Sequence, residues 1–406
     1  MLLLLCLSLS LILAANGWAQ FQFRAAQKAF REGKYQEASD RLRACRRIWA
    51  GRAEVQLWSA RTARWQYDFP NAEKYLQESR RLGAPTEDVQ LEWLLLRAMR
   101  GEIDDLAPGL WKTVESGHPQ SPQILETMAK VYQLRIQYAQ ALECLDAWVE
   151  REPRSARALE WRGWTHERLE HVDAAMSDYQ KALDLAPEET STRARLAALC
   201  VNNNKAAEAL ENFQILRRSD PARRDYQIGI ARCQIALGES EEARRLLEQV
   251  LAEEPDNPDA IRAMAQLEQL AGQFREAETL CRKLVQRDPL DVGANYTLYL
   301  SLAGQGDRTK EAEEQLQRYE RLRDLAVRMH FLVEHIDEYR NNADKLCEFG
   351  TMLLDAKYED KGLFWIDRAL KVNPQHRAAH EALAKYYETR DPAKAAEHGK
   401  FLEASK

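Results

Sequence analysis

The chain has 406 residues, 45% hydrophobic and 30% charged, with a formal net charge of −6 at pH 7. That balance supplies a large apolar core and argues against nucleic acid as the main partner. The cysteines beyond Cys6 (Cys45, Cys144, Cys200, Cys233, Cys281 and Cys347) are widely scattered and never form Cys-x-x-Cys, which removes the common zinc and dithiol motifs.

The first nineteen residues differ from the rest. Leu2 to Ala15 is an apolar run of signal-peptide length, short for a membrane span. Gly17-Trp18-Ala19 places small residues at the −3 and −1 positions, so cleavage is expected before Gln20. No Lys or Arg precedes the run, and retention of residues 2–15 as an anchor is the alternative. The flank after the run is basic, the wrong sign for an anchored, exported body. The expected location is therefore exported: periplasm or cell envelope in a bacterium.

From there the chain repeats. Pro85, Pro119, Pro153, Pro187, Pro221, Pro255 and Pro289 stand 34 residues apart. Twelve residues before the last six lie Ala107, Ala141, Ala175, Ala209, Ala243 and Ala277, a phase reached earlier by Ala38 and Ala72 with one residue added before Ala107. Twelve residues earlier again come Leu95, Ala129, Gly163, Ala197, Ala231 and Ala265. Proline ends one helix and opens a connection, and the two small positions let paired helices approach closely. Gly33, Gly238, Gly272 and Asn204 are placed to close the first helix of their copies in a left-handed conformation.

This pattern resembles the tetratricopeptide repeat (TPR), with a small residue at position 8, alanine at 20, a bulky residue at 24 and proline at 32. The best copy, 156–189, carries Gly163, Ala175, Tyr179, Ala182 and Pro187. Position 4 is rarely tryptophan, and position 11 keeps its tyrosine only at Tyr132 and Tyr387. The resemblance implies an all-α solenoid, a right-handed superhelix of antiparallel helix pairs with about eleven repeats. Its expected divisions are a signal peptide at 1–19 and a solenoid of about nine repeats at 20–328. A helical extension or joint follows at 329–342, then two further TPR-like repeats with a capping helix at 343–406.

The proline phase fails after Pro289. Leu322, Leu325, Ala326, Met329, Leu332, Val333, Ile336 and Tyr339 follow helical steps, which predicts one long helix in that stretch. It either covers its neighbour or re-aims the last two repeats.

No catalytic constellation is present in the sequence, and an enzyme is not expected: there is no glycine-rich phosphate loop and no His-Glu-x-x-His. His166 and His171 are five apart, a spacing that does not align two ligands on one helical face. His376 and His380 are four apart, but His376 falls in a connection. No metal or cofactor is implied. Cys45, Cys200 and Cys281 fall on core positions, and Cys200 and Cys233 hold similar places in adjacent repeats, so whether they pair is left open.

Function must come from the inner face. Residues 20–100 hold 16 Lys and Arg against 10 Asp and Glu. In the TPR family the first helix of each repeat lines the concave surface, which implies Trp58, Trp93 and Trp161 at position 6 and Trp164 at position 9. Trp65 shares that face. Cations stand beside them, here taken as Arg61, Arg64, Lys130, Arg168, Arg195 and Arg232, with Arg100 and Arg157 among the neighbours and Glu54, Glu92, Glu126, Glu160 and Glu167 interleaved. Aromatic anchors beside arginine forks suit a protein or peptide partner. The competing structural role is that the tryptophans wedge between repeats. The lysine and asparagine set that some family members use for a terminal carboxylate is not reproduced. A non-catalytic scaffold binding a peptide or helix is expected. The alternatives are a structural subunit of an envelope assembly using convex and terminal faces, and an enzyme with an unrecognised site.

Overall fold

Each stretch between the recurring turns is helical, and its ends lie where the sequence places helix-breaking residues. The computed structural model describes residues 2–334, 339, 341–355 and 358–403, with side chains throughout except at 2–12, 332–334, 361 and 403. The chain is all-α among these residues and forms a TPR-like solenoid of antiparallel helix pairs. It divides into two compact units, Met1–Thr165 and His166–Lys406.

The first unit contains α1 (Leu2–Arg31), α2 (Tyr35–Ile48), α3 (Ala53–Trp65), α4 (Phe69–Arg81), α5 (Thr86–Arg97), α6 (Ile103–Glu115), α7 (Ser121–Leu134) and α8 (Tyr138–Arg151). It also contains α9 (Ala156–Arg168) as far as Thr165. The second continues with α10 (Val172–Leu185), α11 (Thr190–Asn202), α12 (Ala206–Ser219), α13 (Arg224–Leu237), α14 (Ser240–Glu253), α15 (Pro258–Leu270) and α16 (Phe274–Arg287). It ends with α17 (Val292–Gly304), α18 (Thr309–Glu334), α19 (Ala343–Asp355), α20 (Glu359–Val372), α21 (Arg377–Tyr387) and α22 (Pro392–Glu403).

The proline phase works as a stop signal. Helices α8, α10, α12, α14 and α16 each end two residues before Pro153, Pro187, Pro221, Pro255 and Pro289. The alanine phase is the packing contact: Ala38, Ala141, Ala175, Ala209, Ala243 and Ala277 are completely buried. The first small position behaves likewise at Leu95, Ala129, Ala197 and Ala231. A larger side chain at these contacts would separate the paired axes.

Left-handed turns recur on the same beat. Gly33, Gly238, Gly272 and Asn204 all take positive φ, and so do Gly101 and Gly306. Three residues that are not glycine or asparagine hold the same place: Tyr67 (φ 59°), Ile136 (φ 62°) and Glu170 (φ 56°). That conformation costs an ordinary residue about 1–2 kcal/mol, so the surrounding pair packing must impose it.

The residue added before Ala107 also has a structural destination. Ala98–Glu102 carries the chain from α5 to α6 through a kink at Gly101, whose φ of 110° breaks the helix.

Two expectations near the termini meet the structure differently. Helix α1 runs without interruption through the predicted cleavage point, and Ala19 is completely buried. Trp49 donates its indole N–H to Asn16 Oδ1 at 2.7 Å, and Cys45 Sγ donates to Ala19 O at 3.5 Å. The predicted long helix is α18, 26 residues against 14 for α16. Ile336 lies outside the described residues, and Tyr339 stands in a turn after the helix. Met329 and Tyr339 pack against Phe349 and Leu353 of α19, so this end of α18 covers its neighbour.

Candidate functional site

The first unit contains a cleft of roughly 660 Å³ whose walls come from α1, α3, α5, α7, α8, the turn before α9 and the first turn of α9. Four aromatic side chains form its apolar lining: Phe30, Trp58, Trp65 and Trp148. Five arginines face three glutamates around it, Arg31, Arg61, Arg64, Arg154 and Arg157 against Glu92, Glu126 and Glu152. The cleft is therefore net positive.

Its floor is an ionic network. Glu92, 2% exposed, accepts from Arg61 Nε at 2.8 Å and Arg64 Nε at 3.2 Å. Arg64 also donates to Thr127 Oγ1 at 3.0 Å, and Arg61 to Gln120 Oε1 at 3.0 Å. One buried carboxylate thus holds two guanidiniums, and the surplus charge faces the cavity. Gln123 lines the same cleft, and its buried Oε1 has no hydrogen-bond partner among the described residues.

Arg157 is the second centre. It pairs with the buried Glu126 at 2.7 Å, hydrogen-bonds the Tyr35 hydroxyl, and donates to the carbonyls of Phe30 (3.3 Å) and Arg31 (3.4 Å). Those carbonyls close the last turn of α1, where a cation is favoured. The guanidinium also lies 5.4, 5.6 and 5.1 Å from the ring centres of Tyr35, Trp65 and Trp161. Burial pushes the Glu126 carboxyl above the usual range although Arg157 opposes the shift, and burial likewise pushes the Tyr35 hydroxyl up.

Behind the cleft the aromatics pack on one another. Tyr35 stacks on Trp65 at 5.4 Å, and Trp161 meets Trp65 at 5.9 Å and Trp148 at 6.0 Å, both edge-to-face. Lys130 Nζ sits 5.7 Å from the Trp161 ring centre, its pKa lowered by burial and by Arg157. Trp161 and Lys130 therefore support the wall. Trp93 packs with Leu57, Leu76 and Leu96, and Trp164 lies edge-on to Tyr138 at 5.9 Å. Of the expected site residues, Trp58, Arg61 and Arg64 line the cleft directly.

Two stretches match family models: residues 129–190 and 204–267 each match a tetratricopeptide repeat model. These stretches are tetratricopeptide repeats. Such repeats are typically non-catalytic and point to protein partners, and no enzyme family is matched. No curated protein matches the chain. Among solved structures, it is similar to a tetratricopeptide repeat protein from Parabacteroides merdae, at 17% identity over 65% of this chain and 98% of the other, with a TM-score of 0.44. It is also similar to pilF of Pseudomonas aeruginosa (12% identity, 61% and 96% covered, TM-score 0.37). A TPR protein of Thermus thermophilus gives 22% identity, 45% and 98% coverage, and a TM-score of 0.35.

The remaining expected residues belong to helices at the start of the second unit. Arg168, Arg195 and Arg232 are exposed there; Arg168 pairs with Glu167 at 3.3 Å, and Arg232 reaches Asn202 Oδ1 at 3.4 Å. The spacing argument for His166 and His171 needs correction. Because α9 ends at Arg168, the chain turns between them and brings their Nδ1 atoms to 3.3 Å. His376 caps α21 and contacts Asp344 at 2.9 Å, whereas His380 turns to His398 at 3.0 Å. Among the described residues no group of three metal-ligating side chains is assembled, and no helix is long and apolar enough to cross a membrane. All six described cysteines are buried free thiols, with Cys200 and Cys233 pushed up to about 11 by burial.

Sequence reasoning missed Trp148, Phe30 and Gln123. Trp148 lies on a second helix and Phe30 at the end of the first repeat's opening helix, so the first-helix inner-face rule skips the one and the missing 34-residue marks of the first copy hide the other.

Proposed function

We propose that the protein is a non-catalytic interaction scaffold whose first unit binds a peptide or helix carrying an acidic side chain next to an apolar one. The observation that carries this reading is the cleft itself: aromatic walls beside arginines that outnumber the glutamates. Tryptophan and arginine give large contact area and directed hydrogen bonds, the usual composition of binding hot spots. The unpaired Gln123 Oε1 offers an acceptor for a peptide N–H. Screening a random peptide library against the intact chain should enrich Asp or Glu beside Leu, Phe or Trp. Trp58→Ala should weaken the selected peptides by about 1–2 kcal/mol. Selection without acidic enrichment, or binding indifferent to Trp58→Ala, would remove the proposal.

We also read residues 1–19 as an export leader and place the mature protein in the periplasm or cell envelope, supported by the apolar run Leu2–Ala15. Cleavage before Gln20 removes the Asn16 acceptor of Trp49 and uncovers Cys45. Amino-terminal sequencing of the protein from its own cells tests it: a start at Gln20 supports the leader, and an intact start supports the anchor.

A further inference from the structure

A second polar cavity in the first unit lies apart from the aromatic cleft, among α2, α3 and α4, and measures roughly 110 Å³. Each helix contributes a stripe at helical spacing: Ser39, Arg43 and Arg46 from α2, Ser59 and Thr62 from α3 with Gln66 just after it, and Asn71 and Tyr75 from α4. Space of this size takes a group of a few heavy atoms.

Its distinguishing member is Arg46. The half-buried guanidinium donates to Ser59 Oγ at 2.6 Å and lies 4.5 Å from the Tyr75 ring centre. These are its only polar and ring contacts among the described residues. A guanidinium has five N–H donors, and one is used. No carboxylate pairs with Arg46 among the described residues, and burial lowers its pKa. Arg43 adds a second positive charge and is held by Asp40 at 3.2 Å on the exposed side. The one acid lining the cavity, Asp68, is engaged at the start of α4 by Asn71 N at 3.3 Å and Nδ2 at 2.7 Å.

The remaining hydroxyls divide in a useful way. Ser59 donates to Val55 O at 2.8 Å and Thr62 to Trp58 O at 2.8 Å, so both protons are spent. The hydroxyls of Ser39 and Tyr75 make no hydrogen bond among the described residues. Two like-charged guanidiniums and two free hydroxyl donors thus border one small cavity from two helices. Charge-assisted donors arranged in this way fit an oxyanion, and arginine favours phosphate.

We propose that this cavity is a phosphoryl-binding site, with Arg46 as its principal ligand and Arg43, Ser39 and Tyr75 completing the shell. It is independent of the peptide cleft: neither residue set contributes to the other. The phosphoryl group comes either as free inorganic phosphate or as a monoester on a larger molecule.

The test titrates inorganic phosphate into the intact chain at constant ionic strength balanced with sodium chloride, following heat of binding and thermal midpoint. Saturable binding is expected, weakened about tenfold or more by Arg46→Gln, the scale of one charge-assisted hydrogen bond. Tyr75→Phe keeps the ring and its packing, removes only the hydroxyl, and should weaken binding severalfold. Phenyl phosphate distinguishes the sources: equal binding points to a monoester, and exclusion of the ester points to the free ion. No saturable response beyond that of chloride overturns the site. So does unchanged phosphate binding in both variants while circular dichroism shows them folded.

Discussion

The two units use similar helix pairs to opposite electrostatic ends. In the first unit, arginines turn inward onto two buried glutamates and leave a positive cavity among aromatic rings. In the second, acids and arginines alternate in chains that run both within a helix and between neighbouring repeats. Arg262 binds Asp291 at 2.5 Å, and Glu278 takes Arg282 at 2.7 Å and Arg308 at 2.8 Å. Nine of the ten tryptophans also belong to the first unit, leaving only Trp365 in the second. A common repeat thus builds, in the first unit, a candidate ligand surface from arginines that outnumber the acids around one aromatic cavity.

The largest expected effect follows from breaking the first unit's centre. Arg157→Met leaves Glu126 buried without its cation and should cost about 3–5 kcal/mol. Denaturant unfolding followed by tryptophan fluorescence reports almost entirely on this unit. A midpoint within error of wild type would refute the contrast between the units.

The second unit should be more sensitive to volume. Gly350 and Gly362 occupy both small positions of one repeat, and a Cβ on Gly350 would meet Ile366 Cγ1 at 2.5 Å and Gly362 O at 2.8 Å. Part of that obstacle is backbone, so Gly350→Ala should cost about 1–3 kcal/mol. Faster hydrogen exchange in α19 and α20 checks it.

Acid separates the units further. Burial acts to raise the Glu278 pKa, but hydrogen bonds from Gln305, Arg282 and Arg308 outweigh it and hold the carboxyl below its usual value. Its stabilisation is therefore present above the unfolded pKa, near 4.5, and is lost as pH falls through the depressed folded value. Glu278→Gln should flatten the acid limb of stability below pH of about 5, read by circular dichroism in urea at a series of pH values. An unchanged slope would remove Glu278 from the account.

The smallest effect concerns a turn. Ile136→Gly relieves a β-branched residue at positive φ but adds chain entropy to the unfolded state, leaving a net gain of about 0.5 kcal/mol. A lower thermal midpoint would mean that the Ile136 side chain packs more than the turn strains.

The fold was legible because its marks are local. Proline stops, buried alanines and the glycines at 33, 238 and 272 act within a few residues of where they stand. Tyr67, Ile136 and Glu170 take the glycine's conformation without its chemistry, so no local signal announces them. The cleft was half legible. Trp58, Arg61 and Arg64 follow the first-helix rule, whereas Trp148 enters from a second helix.

Arg157 reaches the carbonyl of Phe30 across 127 positions of chain. An open array of repeats can fray from its end one copy at a time, because each copy touches only its neighbours. A clasp between the opening helix and the fifth repeat forbids that route within the first unit. Its members should melt as one block, and its assembly must wait until about 157 residues have been made.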